Sequence, residues 1–348
     1  MGSLKELLET KQIEIAKLPK GNDWMLKKDG SINYDKIASL DGLIVYTIEH
    51  DYAGISSWMQ NYTLVKLGVD TIKSMFVVVS KENSHNLYEV LKKTSNYIGG
   101  GAGSGLKDII LDDLDELDKS SKDLKSVNAI IKKDGKFIGF NTDGIGYRIG
   151  LETLLKDKNI SLRGKKIVIT GAGGVALPIV YELGKLEPSR IRIINRTIEK
   201  AKNISRYLNS IFEKEIVEYG GEDDLKKAFT GASLIVNVSN KGASGKFEDY
   251  TAFAPIVEDL EEHYRIAKEN LNEFSKNGII SDIVLTQRDL SSSLKLARKL
   301  GYYIQDGKKM VLNQGVPAFL SILNNSSLKD VPDEKVLRNY MENSLSNK

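Results

Sequence analysis

The stretch "GKKIVITGAGGVALPIVYELGKL", Gly164 to Leu186, leaves this chain few folds to choose from. An unbroken apolar run of strand length meets a glycine-rich turn, and an apolar segment of helical spacing follows. Gly171, Gly173 and Ala176 satisfy G-x-G-x-x-[GA] in the strand–turn–helix setting that gives the motif meaning. The first glycine makes the tight turn. The second lets a pyrophosphate approach the backbone, where free N–H groups and the helix dipole favour an anion. Gly171, Gly173, Gly174 and Ala176 are therefore the candidate pyrophosphate residues. Downstream, "RIRIINRTIEKAKNISRYL", "ASLIVNVSNKG", "GIISDIVL" and "SSSLKLARKLG" repeat the alternation of strand and helix. That pattern predicts α/β architecture with an open parallel sheet.

The second strand ends in "INRTIEK". An NAD site places an acid there for the ribose; here Arg196 and Thr197 stand in its place, with Lys200 one turn on. A cation and a hydroxyl suit a 2′-phosphate, so NADP is the expected cofactor. Asn195 or Thr197 also serves as the cap of the following helix.

At 348 residues the chain is long for one core, and two domains of ~100–200 residues are expected. The net charge is +3, with lysines scattered among acids, so no nucleic-acid partner is expected. Cysteine is absent and only His50, His85 and His263 could supply imidazole, which leaves no basis for a metal centre. The same composition fits a reducing cytoplasm. The charged N-terminus predicts no secretory signal, and no apolar run reaches ~18 residues, so no membrane span is expected.

Upstream of the motif, residues 4–17 read as a short charged helix. "DGLIVYTI" and "SMFVVVS" read as buried strands, and "SSWMQNYTLVKLG" as a helix capped by serine and closed at Gly68. "ENSHNLYEVLKKT" reads as a further helix. "VNAIIKKDGKFIGFNTDG" reads as a hairpin turning at Asp134-Gly135. "FEDYTAFAPIVEDLEEHYRIAKENLNEFSKNG" reads as an insertion carrying an exposed helix. "YIGGGAGSGLKDII" holds five glycines and a lysine, yet it is no triphosphate loop. Leu106 sits where that loop needs its lysine, and Asp108 follows Lys107 in place of Ser or Thr.

Taken in order, "VNAI", "GFNTDGIG", "GAGGVA", "NRT", "LIVNVSNKG", "DIVL" and "DGKKMVLNQGVPAF" resemble the shikimate dehydrogenases over roughly residues 40–320. The resemblance implies a two-domain enzyme. An N-terminal α/β substrate domain, 1–144, is completed by C-terminal helices at 311–348. A Rossmann-type NADP domain, 145–310, lies between them. It implies Lys107 as catalytic acid/base, matched to the lysine of N-V-T-x-P-x-K, with the glycines forming the turn before it. Asp143 of "NTDG" is implied as its catalytic partner. Asn128 and Gln314 are implied as substrate contacts, and Asn237 and Gly307 as parts of the cofactor domain. A hinge is expected at "DGIG", with the active site in the cleft between domains. The implied reaction is reversible reduction of 3-dehydroshikimate by NADPH, the partner being a small molecule and the protein a monomer or homodimer.

The departures from the family concern substrate. The S-x-S pair that holds the substrate carboxylate becomes Gly54 and Ser56, with Ser57 where proline is common. The threonine four before the lysine becomes Gly103, and the tyrosine of D-x-x-Y becomes Leu285. Each lost hydrogen bond costs ~0.5–1.5 kcal/mol, more where a charge is involved. The alternatives are therefore the same chemistry on another hydroxylated ring, such as quinate, or a catalytically silent NADP-binding protein.

Overall fold

The computed structural model describes residues 3–16, 20–49, 55–103, 105–286 and 289–346. The chain divides into two compact units, residues 1–142 with 314–348 and residues 143–313.

The first unit opens with α1 (Leu4–Glu9), capped by the Ser3 hydroxyl, which accepts from the Glu6 N–H. The single helix expected over residues 4–17 stops there. Lys11 takes a left-handed φ of 56°, and the chain then extends as β1 (Ile13–Ile15). After α2 (Tyr34–Ala38) comes β2 (Gly42–Ile48), buried at all seven positions, as a run apolar on both faces demands. Next come α3 (Ser56–Lys66), β3 (Ile72–Val79), α4 (Lys81–Lys93) and β4 (Tyr97–Ala102). Then follow β5 (Glu116–Leu117), α5 (Lys119–Leu124) and the hairpin of β6 (Ala129–Lys133) with β7 (Lys136–Phe140). Asp134 and Gly135 both have positive φ, the geometry of the tight turn their sequence predicts.

These strands form one mixed sheet in the order β1-β3-β2-β4-β6-β7-β5. Leu43, Val45, Met75, Val77, Leu87, Tyr88, Tyr97 and Phe137 fill its core. β2, β3 and β4 run parallel, so their carboxyl ends share one edge.

In the second unit α6 (Asp143–Lys158) leads to β8 (Lys166–Thr170), α7 (Ala176–Gly184), β9 (Arg190–Ile194), α8 (Ile198–Phe212) and β10 (Val217–Gly220). Next come α9 (Leu225–Phe229), β11 (Leu234–Asn237), α10 (Leu260–Leu271), β12 (Ile279–Asp282), α11 (Ser292–Lys299) and β13 (Tyr303–Gln305). α12 (Gly307–Asn324) crosses back into the first unit, and α13 (Glu334–Ser346) packs there on α3, the Trp58 indole donating to the Ser344 carbonyl at 3.2 Å. The second sheet is wholly parallel in the order β10-β9-β8-β11-β12-β13. Numbered within the unit, that order is 3-2-1-4-5-6, the doubly wound arrangement whose switch point lies between β8 and β11. Among the described residues no helix is long and apolar enough to cross a membrane.

Several local expectations are corrected. The glycine stretch is not a turn before Lys107 throughout: Gly99, Gly100 and Gly101 belong to β4, a central strand. Ser56 does not cap α3; it is the first helical residue, and no side chain caps that end. "DGIG" forms the first turn of α6, directly after the boundary between the two units at 142/143. Gly144 lets α6 pack on α7, where a Cβ would lie 2.1 Å from the Pro178 carbonyl oxygen. The insertion helix α10 is exposed on one face only. The other buries His263, Ala267, Asn270 and Leu271. There the Thr251 N–H donates to His263 Nε2 at 2.8 Å, and His263 Nδ1 lies 2.9 Å from the Pro255 carbonyl.

β4 has no side chains to give away. A Cβ on Gly100 would stand 1.8 Å from the Val45 carbonyl oxygen, and one on Gly101 2.0 Å from that of Asn128. Backbone on both sides blocks relief. Gly100→Ala is expected to lower stability by about 3 kcal/mol or more, read as a shift in the denaturant midpoint.

Candidate active site

In the first unit the chain leaves β4 at Ala102 and turns through Gly105 to Lys107. Gly105 has φ +87°, a conformation glycine reaches without strain. The Lys107 carbonyl accepts from the Val127 N–H at 2.8 Å, which fixes the lysine beside the start of β6. The next residue is Asn128. Its Oδ1 accepts the Thr142 N–H at 2.9 Å, and its Nδ2 donates to the Thr142 hydroxyl at 3.1 Å. Asp143 follows directly in sequence and is buried. Backbone and amide bonds thus tie Lys107, Asn128 and Thr142 together. Gln314, in α12, has a buried Oε1 without a hydrogen-bond partner.

The serines divide. Ser57 is buried and its Oγ meets Ser74 Oγ at 3.1 Å, so it faces the sheet; Ser56 is half-buried. Gly54 and Ser104 lie outside the described residues. Gly103 adjoins the end of β2, its N–H donating to the Thr47 carbonyl at 2.7 Å. Leu285 is exposed.

The second unit builds a cofactor cradle. Gly171 has φ +111°, and a Cβ there would stand 2.7 Å from the Ser239 nitrogen. At Gly173 an added Cβ meets nothing nearer than 3.8 Å, and at Gly174 nothing within 4 Å. Those two glycines leave open space before α7, which begins at Ala176 with no side-chain cap on its N–H groups. An open cradle before a helix end that no side chain caps fits a pyrophosphate. Arg196, Thr197 and Lys200 are all exposed, and the Asn195 amide donates to the Thr197 carbonyl at 2.9 Å, shaping the turn. Thr197 holds the cap position of α8 without a side-chain bond. Asn195, Arg196 and Thr197 stand at the end of β9, where an acid would meet the ribose of a dinucleotide. Gly307 starts α12, a Cβ there falling 2.4 Å from the Ile283 carbonyl oxygen.

Asn237 anchors a network the sequence showed only in part. Its Oδ1 accepts from Ser239 N–H at 3.0 Å and Ser239 Oγ at 2.7 Å, which stiffens the loop closing over Gly171. Its Nδ2 donates to the Lys241 carbonyl and to Asp282 Oδ1, both at 3.0 Å. Asp282, fully buried, also accepts from Ser291 Oγ at 2.6 Å and Val284 N–H at 2.9 Å. An acid inside the apolar run "GIISDIVL" was the available signal for it. Lys241 is a second buried charge: its Nζ donates to the Ala254 carbonyl at 2.6 Å and meets Glu222 Oε1 at 2.5 Å. Burial pulls its ammonium below the usual lysine range, and the charge of Arg196 adds to this.

Burial pushes the Asp282 carboxyl up to about 6, against the pull of its hydrogen-bond donors. The folded state therefore takes up a proton between pH 6 and 4 that the unfolded state does not. This group favours folding most below pH 4, and its contribution is lost as pH rises through 6. The stability of wild type minus that of Asp282→Asn is expected to fall by about 2 kcal/mol from pH 4 to pH 7 in parallel denaturant titrations. Gly173→Ala is expected to leave the unfolding midpoint unchanged while weakening NADP binding about tenfold or more, measured by nicotinamide fluorescence.

Comparison with known proteins agrees with this geometry. Residues 153–237 match the family model described as shikimate / quinate 5-dehydrogenase. The chain is 32% identical over 284 residues to a shikimate dehydrogenase (NADP(+)) of Alkaliphilus metalliredigens, covering 80% of this chain and 90% of that one. A crystal structure of a shikimate dehydrogenase in complex with NADP+ superposes with a TM-score of 0.69 at 26% identity, covering 87% of this chain and 95% of that chain. A quinate dehydrogenase of Corynebacterium glutamicum in complex with NAD shares the fold, with a TM-score of 0.68 at 20% identity, covering 86% and 98%. With the doubly wound sheet, the glycine cradle and a relative this similar over four-fifths of this chain, the chain belongs to the shikimate/quinate 5-dehydrogenase family of NAD(P)-dependent dehydrogenases.

Proposed function

We propose that the protein is an NADP-dependent dehydrogenase that interconverts a ring ketone of the 3-dehydroshikimate type and its alcohol. The observation that carries the reading is the tie among Lys107, Asn128 and Thr142, with Asp143 next in the chain. Bound NADP would supply the nicotinamide that accepts or gives the hydride. The chain's own residues handle the proton and the ring. In the reducing direction negative charge builds on the carbonyl oxygen, and Lys107 Nζ donates a proton to it. In the oxidising direction the same amine takes the hydroxyl proton. Asp143, the residue after Thr142, is the proposed partner of Lys107 in moving that proton. Asn128 and Gln314, which can each donate and accept, bind ring hydroxyls. Arg196, with Thr197 and Lys200, holds the 2′-phosphate and selects NADP over NAD.

Two residues depart from the family's pattern for holding shikimate. Ser57 faces the sheet, and Gly103 offers no hydroxyl. Both favour a hydroxylated ring held by means other than the usual serine and threonine.

Lys107→Ala is expected to lower kcat about 10²–10⁴-fold, with NADP affinity unchanged, in an absorbance assay of NADPH formation. Equal turnover in that variant would sink the proposed acid/base. Arg196→Ala is expected to raise the KM for NADP about tenfold or more and leave that for NAD unchanged.

A further inference from the structure

The cofactor unit carries a buried ion pair drawn from two of its loops. Lys241 lies in the loop after β11. Its N–H donates to Ser239 Oγ at 3.2 Å, and its carbonyl accepts from Asn237 Nδ2 at 3.0 Å. Glu222 lies two residues beyond the end of β10. The Lys241 side chain is 9% exposed, and its Nζ has two partners: Glu222 Oε1 at 2.5 Å and the Ala254 carbonyl at 2.6 Å. Ala254 belongs to the insertion that carries α10, and His263 of that helix meets the next carbonyl, Pro255, at 2.9 Å. The insertion thus helps to aim the lysine at Glu222.

The pair adjoins the strand end that carries Arg196. β9 and β10 run parallel, and Ile194 and Gly220 are their last paired residues. Arg196 and Glu222 each lie two residues beyond that pair. The Asn195 N–H donates to the Gly220 carbonyl at 3.1 Å and ties the two strand ends. Gly221 packs on the first turn of α8, where an added Cβ would stand 3.1 Å from Ile198 Cδ1. Burial pulls the Lys241 ammonium below the usual lysine range, and Arg196 is near enough for its charge to add to this. Glu222 is therefore an acid on the strand next to the one where a dinucleotide enzyme keeps its ribose acid.

An uncompensated carboxylate there repels a phosphate and attracts a bare ribose hydroxyl. An ammonium bonded to it cancels the charge. Removing one member of a buried pair leaves the other exposed to its full cost, whereas replacing both by neutral groups costs little.

We propose that Lys241 is a specificity-determining residue for the cofactor, acting through Glu222: by neutralising this acid it lets the Arg196 site take a 2′-phosphate. Its own Nζ is committed to Glu222 and Ala254, so it is not itself a phosphate ligand. The proposal rests on the NADP reading above and deepens it.

The test is binding of NADPH and of NADH, followed by nicotinamide fluorescence, to wild type, Lys241→Met, Glu222→Gln and the double variant. Wild type is expected to hold NADPH about tenfold or more tighter than NADH. In Lys241→Met the NADPH affinity is expected to fall about tenfold or more, with NADH changed less than about threefold. The double variant is expected to recover NADPH affinity to within about threefold of wild type, because no carboxylate remains to repel the phosphate. Glu222→Gln alone leaves the ammonium uncompensated and is expected to tighten NADPH about threefold or more without changing NADH, a result that does not need Lys241→Met to fold. Equal losses for both cofactors in Lys241→Met, or no recovery in the double variant, mean that the pair only shapes the loop and overturn the proposal. An unchanged preference in Glu222→Gln also overturns it. Equal affinity of wild type for the two cofactors overturns the NADP reading and the proposal with it. A wild-type preference that is lost in Arg196→Ala and kept in Lys241→Met overturns the proposal alone. Turnover does not enter the measurement, so the expected ratios stand even where the dehydrogenase reading fails.

Discussion

The close backbone approach at β4 is the constraint on which the first unit of this protein depends. Gly100 and Gly101 let the main chains of β2 and β6 come nearer than any side chain permits. Three consequences follow from that approach. β2, β3 and β4 end on one edge; the turn after β4 lands beside Asn128; and the Lys107 carbonyl is pinned by the Val127 N–H. A lysine on a surface loop has no defined position. This one is placed by hydrogen bonds that begin in the sheet.

The cofactor unit uses the same device with a different end. Gly171 admits the Ser239 backbone from one side, and Gly173 leaves open space on the other. The Asn237–Asp282 pair then fixes the loop and the carboxyl ends of two adjacent strands, at the expense of burying an acid whose proton is held up to about pH 6. A buried, fully hydrogen-bonded acid of this kind trades stability for a defined backbone.

Legibility in the sequence followed the physics of each signal. The doubly wound unit was plain at β8, β9, β11 and β12, because buried parallel strands are continuous apolar runs bounded by glycine or polar turns. β10 and β13 were not read, since "VEYG" and "YIQ" are short edge strands of mixed polarity. The glycines of "YIGGGAG" concealed β4 because glycine signals a turn locally, and only the neighbouring backbones make it a strand requirement. Lys107, Asp143 and Asn128 were named through the family motifs; spacing alone did not select them. The folded chain adds the bond from the Val127 N–H to the Lys107 carbonyl and those between Asn128 and Thr142.

The central claim is hydride transfer assisted by Lys107. Its most direct test is transfer of deuterium from NADPH labelled at the nicotinamide C4 to 3-dehydroshikimate, read by NMR of the product. The account predicts deuterium on the carbon that was the ketone, formed by the wild-type protein and suppressed in Lys107→Ala. Product without deuterium at that carbon, or equal labelling in the variant, would contradict it.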